Sequence, residues 1–332
     1  MKFLIAGLGS IGRRHLRNLQ ALGEKDILLY RTHRATLPDD EIKGYPVETD
    51  LGHALALGPQ AVIIANPTAL HLSVAIPAAQ VGCHLLIDKP VADSLEGCEE
   101  LKAALKRRGG RVLVGFQFRF HPGLQRIKEL LDDQAIGRPL DVRAHWGEYL
   151  PGWHPWEDFH RSYAARPELG GGVILTLCHP LDYLHWLIGE VETLWAFTSR
   201  SGLGLEVEDT AEIGLRFKGG TLGSVHLDYV QRPAQHTLEI VGTEGTISWD
   251  NAHGSVQLSQ AQHNGGSEVK QAFPIPEGFE RNSMFLAEMR HFRQVAQGEC
   301  EPICSLDDGL YALKLALAAL RSARERTRCE IG

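Results

Sequence analysis

No C-x-x-C pair occurs among the six cysteines at positions 83, 98, 178, 300, 304 and 329, so neither a linear zinc-ligand spacing nor a disulfide framework is visible. No stripe of lysine and arginine occurs either, and 41 acidic residues outweigh 34 basic ones for a formal net charge of -7. Phosphate backbones and anionic membranes are held by clustered cations, so neither nucleic acid nor a membrane surface is an expected partner. The apolar segment Met1 to Gly7 is far shorter than a membrane span or the core of a signal peptide. Arg13-Arg14 follows a glycine turn instead of preceding an apolar segment, which speaks against a twin-arginine leader. Reduced thiols in a cytoplasm are the expectation. Repeats, linkers and low-complexity tracts are also missing.

What remains is a 332-residue chain with 43% hydrophobic and 23% charged residues, long enough for two domains. Up to about residue 120 the strand-like runs KFLIAG, DILLYR, AVIIAN, HLLIDKP and RVLVGFQ alternate with helical ones. Fully apolar strands in that rhythm require a parallel sheet covered by helices on both faces, an open doubly wound α/β fold. Beyond a helical stretch at 122–132 the rhythm changes to serial strands, from LDVRAHWGEY to SVQLSQ, with G-T and K-G-G turn signals between several of them. This pattern predicts an α+β domain on a largely antiparallel open sheet. The expected domains are 1–120 and 121–332, with helices at 283–297 and 306–326 closing the chain and packing back toward the first domain. Ser305 and Asp308 resemble a capping box with Asp in place of Glu.

Gly7-Leu8-Gly9-Ser10-Ile11-Gly12 is a G-x-G-x-x-G that follows a strand and opens a helix, the context a dinucleotide fingerprint requires. Gly7 permits the turn, Gly9 lets backbone amides approach a pyrophosphate, and Gly12 lets helix and strand pack closely. NAD-binding folds place an acid after the second strand, for the ribose 2'-hydroxyl. Here ILLY runs into Arg31-Thr32-His33-Arg34, with no acid before Asp39. Arg31, Thr32 and Arg34 suit a 2'-phosphate, so NADP(H) is the preferred cofactor and NAD(H) the other possibility; a solvated turn is the alternative reading. Arg13 and Arg14 fit pyrophosphate contact or plain helix-surface charge equally well.

In order along the chain, GLGSIGRRHLRNL, ANPTALH at 65–71, IDKPVA at 87–92, GFQFRFHP at 115–122 and GGGVILTLCHPLD at 170–182 resemble the glucose-fructose oxidoreductase, inositol dehydrogenase and rhizopine-catabolism (Gfo/Idh/MocA) family. The resemblance covers nearly the whole chain. It implies an N-terminal Rossmann domain, a C-terminal sheet domain whose open face makes homodimers or homotetramers, and a pocket between them for a sugar, cyclitol or sugar derivative. The family's E-K-P motif stands here as Asp88-Lys89-Pro90, at the carboxyl edge of the sheet where ligands bind. By resemblance Lys89 hydrogen-bonds the substrate hydroxyl, Lys89 and Asp88 both touch the cofactor, and Asp88 positions the amine or tunes its charge. Asn66, Pro67 and His71 match the cofactor-lining turn, and Gln117 and Arg119 end the next matching strand near the nicotinamide, Arg119 on the substrate side.

His179 matches the family's acid-base histidine, yet the aspartate usually found three or four residues earlier is replaced by Leu175 and Thr176. Thr176 could hold a substrate hydroxyl instead, and Asp182 could orient the His179 imidazole from the same helix face, with Pro180 expected to disturb that helix. The segment from Leu150 to Tyr163 combines rings with polar groups, as polyol sites do, and offers Trp153, His154, Trp156, Arg161 and Tyr163 for substrate binding. His226, Asp228 and Arg232 are further candidates for the same pocket. The expected function is nicotinamide-dependent oxidoreduction of a sugar-like carbinol, free or nucleotide-linked, with Lys89 and His179 catalytic and no metal. A cofactor-binding scaffold of the same fold, without turnover, is the alternative that Leu175 and Thr176 leave open.

Overall fold

The computed structural model describes residues 1–32, 37–155, 157–260 and 269–332. Of the residues singled out above, Arg34 and Trp156 lie outside the described residues. The chain opens with β1 (Phe3–Ala6), α1 (Ser10–Ala21), β2 (Ile27–Tyr30), β3 (Val47–Glu48), α2 (Leu51–Ala56), β4 (Ala61–Ile64), α3 (His71–Gln80), β5 (His84–Asp88), α4 (Cys98–Arg108) and β6 (Val112–Gly115). It continues through α5 (Pro122–Asp132), β7 (Pro139–Tyr149), α6 (Val173–Thr176), α7 (His179–Ile188), β8 (Val191–Ser199), β9 (Thr210–Phe217) and β10 (Leu222–Asp228). Then come β11 (Val230–Gly242), β12 (Gly245–Asp250), β13 (Val256–Gln260), β14 (Val269–Phe273), α8 (Arg281–Gln297), α9 (Leu306–Glu325) and β15 (Cys329–Glu330). Contacts group Met1–Gln117 with Glu280–Leu313 as one unit and Phe118–Phe279 with Lys314–Gly332 as the other. The chain first passes from one unit to the other after Gln117.

The first unit holds a six-stranded sheet in the order β3-β2-β1-β4-β5-β6, parallel throughout. Its central strand, Phe3 to Ala6, is fully buried, because helices cover both faces of a parallel sheet and no position can be polar. Each large apolar side chain so buried contributes about 1.5–3 kcal/mol. The strand order reverses between β1 and β4, and at such a switch point the carboxyl ends of the strands open a crevice for ligands. α8 joins this unit by packing Met284, Phe285, Met289 and Phe292 inward, while α9 starts at the capping box expected from sequence. There the Asp308 amide donates to the Ser305 hydroxyl at 3.2 Å and the Ser305 amide to the Asp308 carboxylate at 2.8 Å.

The second unit is built on a nine-stranded sheet ordered β14-β13-β12-β11-β7-β10-β9-β8-β15. Its pairs are antiparallel except β7 with β10. Alternation gives the sheet two unlike faces. Val142, Ala144, Trp146, Val225 and Leu227 are buried on one, while Arg143, His145, Glu212 and His226 lie on the other. The short strands β3, β14 and β15 escaped the sequence reading; two of them have only two residues and carry no period.

Buried histidines make this fold acid-sensitive. His121 caps α5 by accepting the Gly123 amide at 3.0 Å, which requires an unprotonated Nδ1, and burial lowers its pKa to about 4. His236, stacked on Trp146 at 4.4 Å, and His71 are also lowered by burial. An unfolded chain takes up these protons near pH 6.5 whereas the folded chain refuses them, so stability is intact above 6.5 and declines as pH falls toward 4. Urea denaturation across that window should lose about 1.4 kcal/mol per pH unit through His121, with His236 and His71 adding to the loss, and less in His121→Gln. A pH-independent midpoint would contradict this.

Candidate active site

Strand β1 ends at the glycine loop. Gly7 has φ +95, and a methyl group there would stand 2.5 Å from the Asn66 amide nitrogen, so this turn accepts only glycine. At Gly12 the same atom would lie 1.9 Å from the Gly7 carbonyl oxygen, which fixes the close approach of α1 to the turn. Gly9 differs: nothing lies within 4 Å of such an atom, and the loop is open on that side. The N-terminus of α1 begins there with no side-chain cap and no acid in its first turn, so its amides and dipole are available to an anion. Asn66, in the loop after β4, donates from Nδ2 to the Leu70 carbonyl, while its buried Oδ1 has no hydrogen-bond partner among the described residues. An open cradle at Gly9 beside an acceptor awaiting a donor fits a dinucleotide. Ser10 is exposed and Ile11 half-buried at the helix start, and Pro67 sits beside Asn66.

Arg13 is neither of the things expected of it. Its guanidinium is buried and donates to the Leu8, Pro38 and Leu37 carbonyls at 3.1, 2.6 and 3.2 Å, so it braces backbone instead of meeting pyrophosphate or solvent. Arg14 lies over the Phe285 ring at 4.5 Å. At the end of β2, Arg31 is 8% exposed and binds Asp39 at 2.6 Å, while Thr32 is exposed.

Asp88 ends β5 and meets His15 of α1, whose Nε2 lies 3.1 Å from Oδ1. The acid of the D-K-P turn is therefore tied to the helix that carries the glycine loop. Glu288 of α8 is buried, and burial with Asp88 nearby pushes its carboxyl well above the ordinary range, so it stays protonated. Lys89 is half-buried and its bond to Pro90 is cis. His71 sits behind this turn with Nδ1 at 2.9 Å from the Pro90 carbonyl and Nε2 at 2.9 Å from that of Asn66. At 1% exposure it links the two loops. Gln117, the last residue of this unit's first segment, is also buried.

In the second unit, His179 opens α7, buried between Phe118 and Trp146 at ring distances of 5.0 and 5.2 Å. Pro180 follows in the first helical turn, where no backbone bond is lost, so the expected disturbance of the helix does not arise. Asp182 is 1% exposed and accepts from Arg119, with Nη2 at 2.7 Å from Oδ1 and Nε at 3.1 Å from Oδ2. Arg119, 2% exposed, is thereby held by Asp182. Thr176 and Leu175 are buried in α6, with Thr176 against the Tyr229 phenol. Trp153 packs edge-on to Tyr229 at 5.8 Å, and His154 pairs with Glu157 at 2.8 Å. Arg161 is exposed and Tyr163 half-buried.

Sequence reasoning overlooked His15, Glu288, Phe118, Trp146 and His236. His15 lies one turn beyond the glycine loop on the helix face that carries Gly12 and Ile11, a signal that was legible; the others depend on which elements pack together.

A parallel sheet in this order, a glycine cradle at its switch point and a lysine turn two strands away define a dinucleotide-binding oxidoreductase. Comparison with known proteins agrees. Residues 1–116 match the oxidoreductase family with an NAD-binding Rossmann fold, and residues 124–248 match the Gfo/Idh/MocA C-terminal domain. The chain belongs to the Gfo/Idh/MocA oxidoreductase family. It is 28% identical to myo-inositol 2-dehydrogenase of Thermotoga maritima, over 98% of this chain and 97% of that one. It is 27% identical to 1,5-anhydro-D-fructose reductase of Ensifer adhaerens, over 82% and 79%. Levoglucosan dehydrogenase in complex with NADH and levoglucosan shares the fold, with a TM-score of 0.88 and 21% identity over 100% of this chain and 99% of that one.

Proposed function

We propose that the protein moves a hydride between a nicotinamide cofactor and a carbinol carbon of a sugar, cyclitol or sugar derivative. The observation that carries this reading is the position of Lys89, directly after β5 on the same carboxyl edge of one sheet as the Gly7–Gly12 loop after β1. Relatives that act on inositol and anhydrofructose support the substrate class. Gly7, Gly9, Ser10, Ile11, Gly12, Asn66 and Pro67 would hold the dinucleotide, which when bound supplies the hydride acceptor or donor. The chain's part is to hold the hydroxyl and move its proton. When the carbinol C–H bond gives up its hydride, the O–H proton must leave as the carbonyl forms. Lys89 hydrogen-bonds that oxygen, and His179 accepts the proton, returning it in the reverse direction. Trp153, His154, Arg161 and Tyr163 supply rings and polar groups to the polyol, and Arg119 with Asp182 sets the start of α7 and so His179. Protein mixed with NADP(+) or NAD(+) and a panel of polyols, sugars and nucleotide sugars should show nicotinamide reduction with at least one of them. Silence across the panel, with cofactor binding intact, would favour a scaffold without turnover.

Within the NAD(P) class we assign a preference for NADP(H). Arg31 already binds an anionic oxygen at the end of β2, that of Asp39 at 2.6 Å, and a 2'-phosphate would take that carboxylate's place. Arg31→Ala should weaken NADPH binding about tenfold or more, as loss of a charged hydrogen bond does, with little effect on NADH, and Asp39→Ala should strengthen NADPH binding. Equal or tighter NADH binding by the unaltered protein would overturn the preference. A cytoplasmic homodimer or homotetramer formed through the open sheet face completes the reading, supported by the exposure of Trp195, Phe197 and Leu222.

A further inference from the structure

His145 and His226, with Asp228, form a cluster that the proposed reaction does not use. The parallel register of β7 and β10 sets His145 beside His226 and Gly147 beside Asp228. Alternation along β7 puts this cluster on the sheet face opposite Trp146, whose ring lies 5.2 Å from that of His179. The two imidazoles stack at 4.5 Å. His226 Nε2 lies 3.1 Å from Asp228 Oδ2, His145 Nε2 lies 4.0 Å from the same oxygen, and one donor atom from each of the three residues falls within 4.8 Å of the others.

The geometry points to a binding site for one divalent transition-metal ion of the zinc type, held by His145 Nε2, His226 Nε2 and Asp228 Oδ2 with water in the fourth position. Donor atoms around a tetrahedral zinc at about 2.0–2.1 Å stand about 3.4 Å apart, so small side-chain rotations complete the set. Each donor is already oriented. Asp228 is 2% exposed, and its other oxygen accepts the Val230 amide at 2.7 Å, which leaves Oδ2 for the ion. His226 Nδ1 donates to Glu212 at 2.5 Å, the carboxylate-histidine arrangement that fixes a metal-binding imidazole. His145 is hydrogen-bonded by the Gln231 side chain, and its Nε2 is buried with no hydrogen-bond partner among the described residues. Gly147 is part of the design, because a methyl group there would stand 2.2 Å from Asp228 Oδ2. In the single chain, solvent reaches the cluster through an open concavity of about 620 Å³, on the same sheet face as Trp195 and Phe197.

Two imidazoles with one carboxylate suit zinc, cobalt or nickel over magnesium or calcium, which take oxygen donors. The site was not legible in the sequence because the ligands lie on two strands joined only by register. Bound there, the ion fastens β7 to β10 and touches none of the groups assigned to hydride transfer.

Untagged, chelator-stripped protein titrated with Zn(II) against a chromophoric chelator should take up one equivalent. Co(II) should give the visible spectrum of a four-coordinate histidine-carboxylate site. His145→Ala/His226→Ala should lose that equivalent while keeping its circular dichroism, and Glu212→Gln should bind about 10–100-fold more weakly. Zinc should raise the unfolding temperature of the unaltered protein and not of the double variant. Failure of the unaltered protein to compete with the chelator, or equal uptake by the double variant, overturns the assignment. Neither result bears on hydride transfer.

Discussion

Lys89→Met should lower kcat by about 10²–10⁴, the range supplied by a positioned proton-transfer group, while the dissociation constant of the cofactor changes little. The contrast follows from where the lysine sits. The turn proposed to cradle the dinucleotide is made by Gly7, Gly9 and Gly12 and by the N-terminus of α1, none of which depends on the amine. Asp88 is fixed from behind by His15, so the turn that carries residue 89 keeps its backbone in the variant. His179→Ala should show the same division between turnover and cofactor binding, since its ring lies in the other unit between Phe118 and Trp146. Steady-state kinetics together with fluorescence titration of the cofactor provide both numbers. Full turnover in Lys89→Met would remove the lysine from the chemistry.

Asp182→Ala should destabilise the protein by about 3–5 kcal/mol, because it leaves the guanidinium of Arg119, 2% exposed, without the carboxylate that balances its charge. The pair itself adds less than that figure suggests, since both charges were taken out of water to form it. Arg119→Met/Asp182→Leu, which removes both, should therefore regain most of the loss in urea denaturation. A single variant as stable as the parent would mean that water reaches the site. Asp182 also stands one turn after His179 on α7, so its loss should reduce kcat through misplacement of the imidazole.

The sheet of the first unit was legible because its strands are apolar throughout and punctuated by glycine, which leaves few other folds. FLIA, ILLY, AVII and VLVG all appear as strands, as does HLLID, which ends at the lysine turn. Most of the second sheet was equally clear from alternation. Side-chain partners were not. Asp182 accepts from a guanidinium 63 residues away in sequence, and no local pattern carries that information. Pro180 read as a helix breaker because the start of α7 was not visible; one residue inside the start, proline costs nothing. Arg13 read as a surface or phosphate cation, but three carbonyls converge on it from loops that only the fold brings together.

The most direct measurement of the central claim follows the hydride itself. A polyol substrate deuterated at the oxidised carbon is incubated with the protein and oxidised cofactor, and the reduced nicotinamide is weighed by mass spectrometry. The account predicts reduced cofactor carrying the deuterium, with the label transferred far more slowly by Lys89→Met. Reduced cofactor without the label, or transfer at an unchanged rate in that variant, would contradict it.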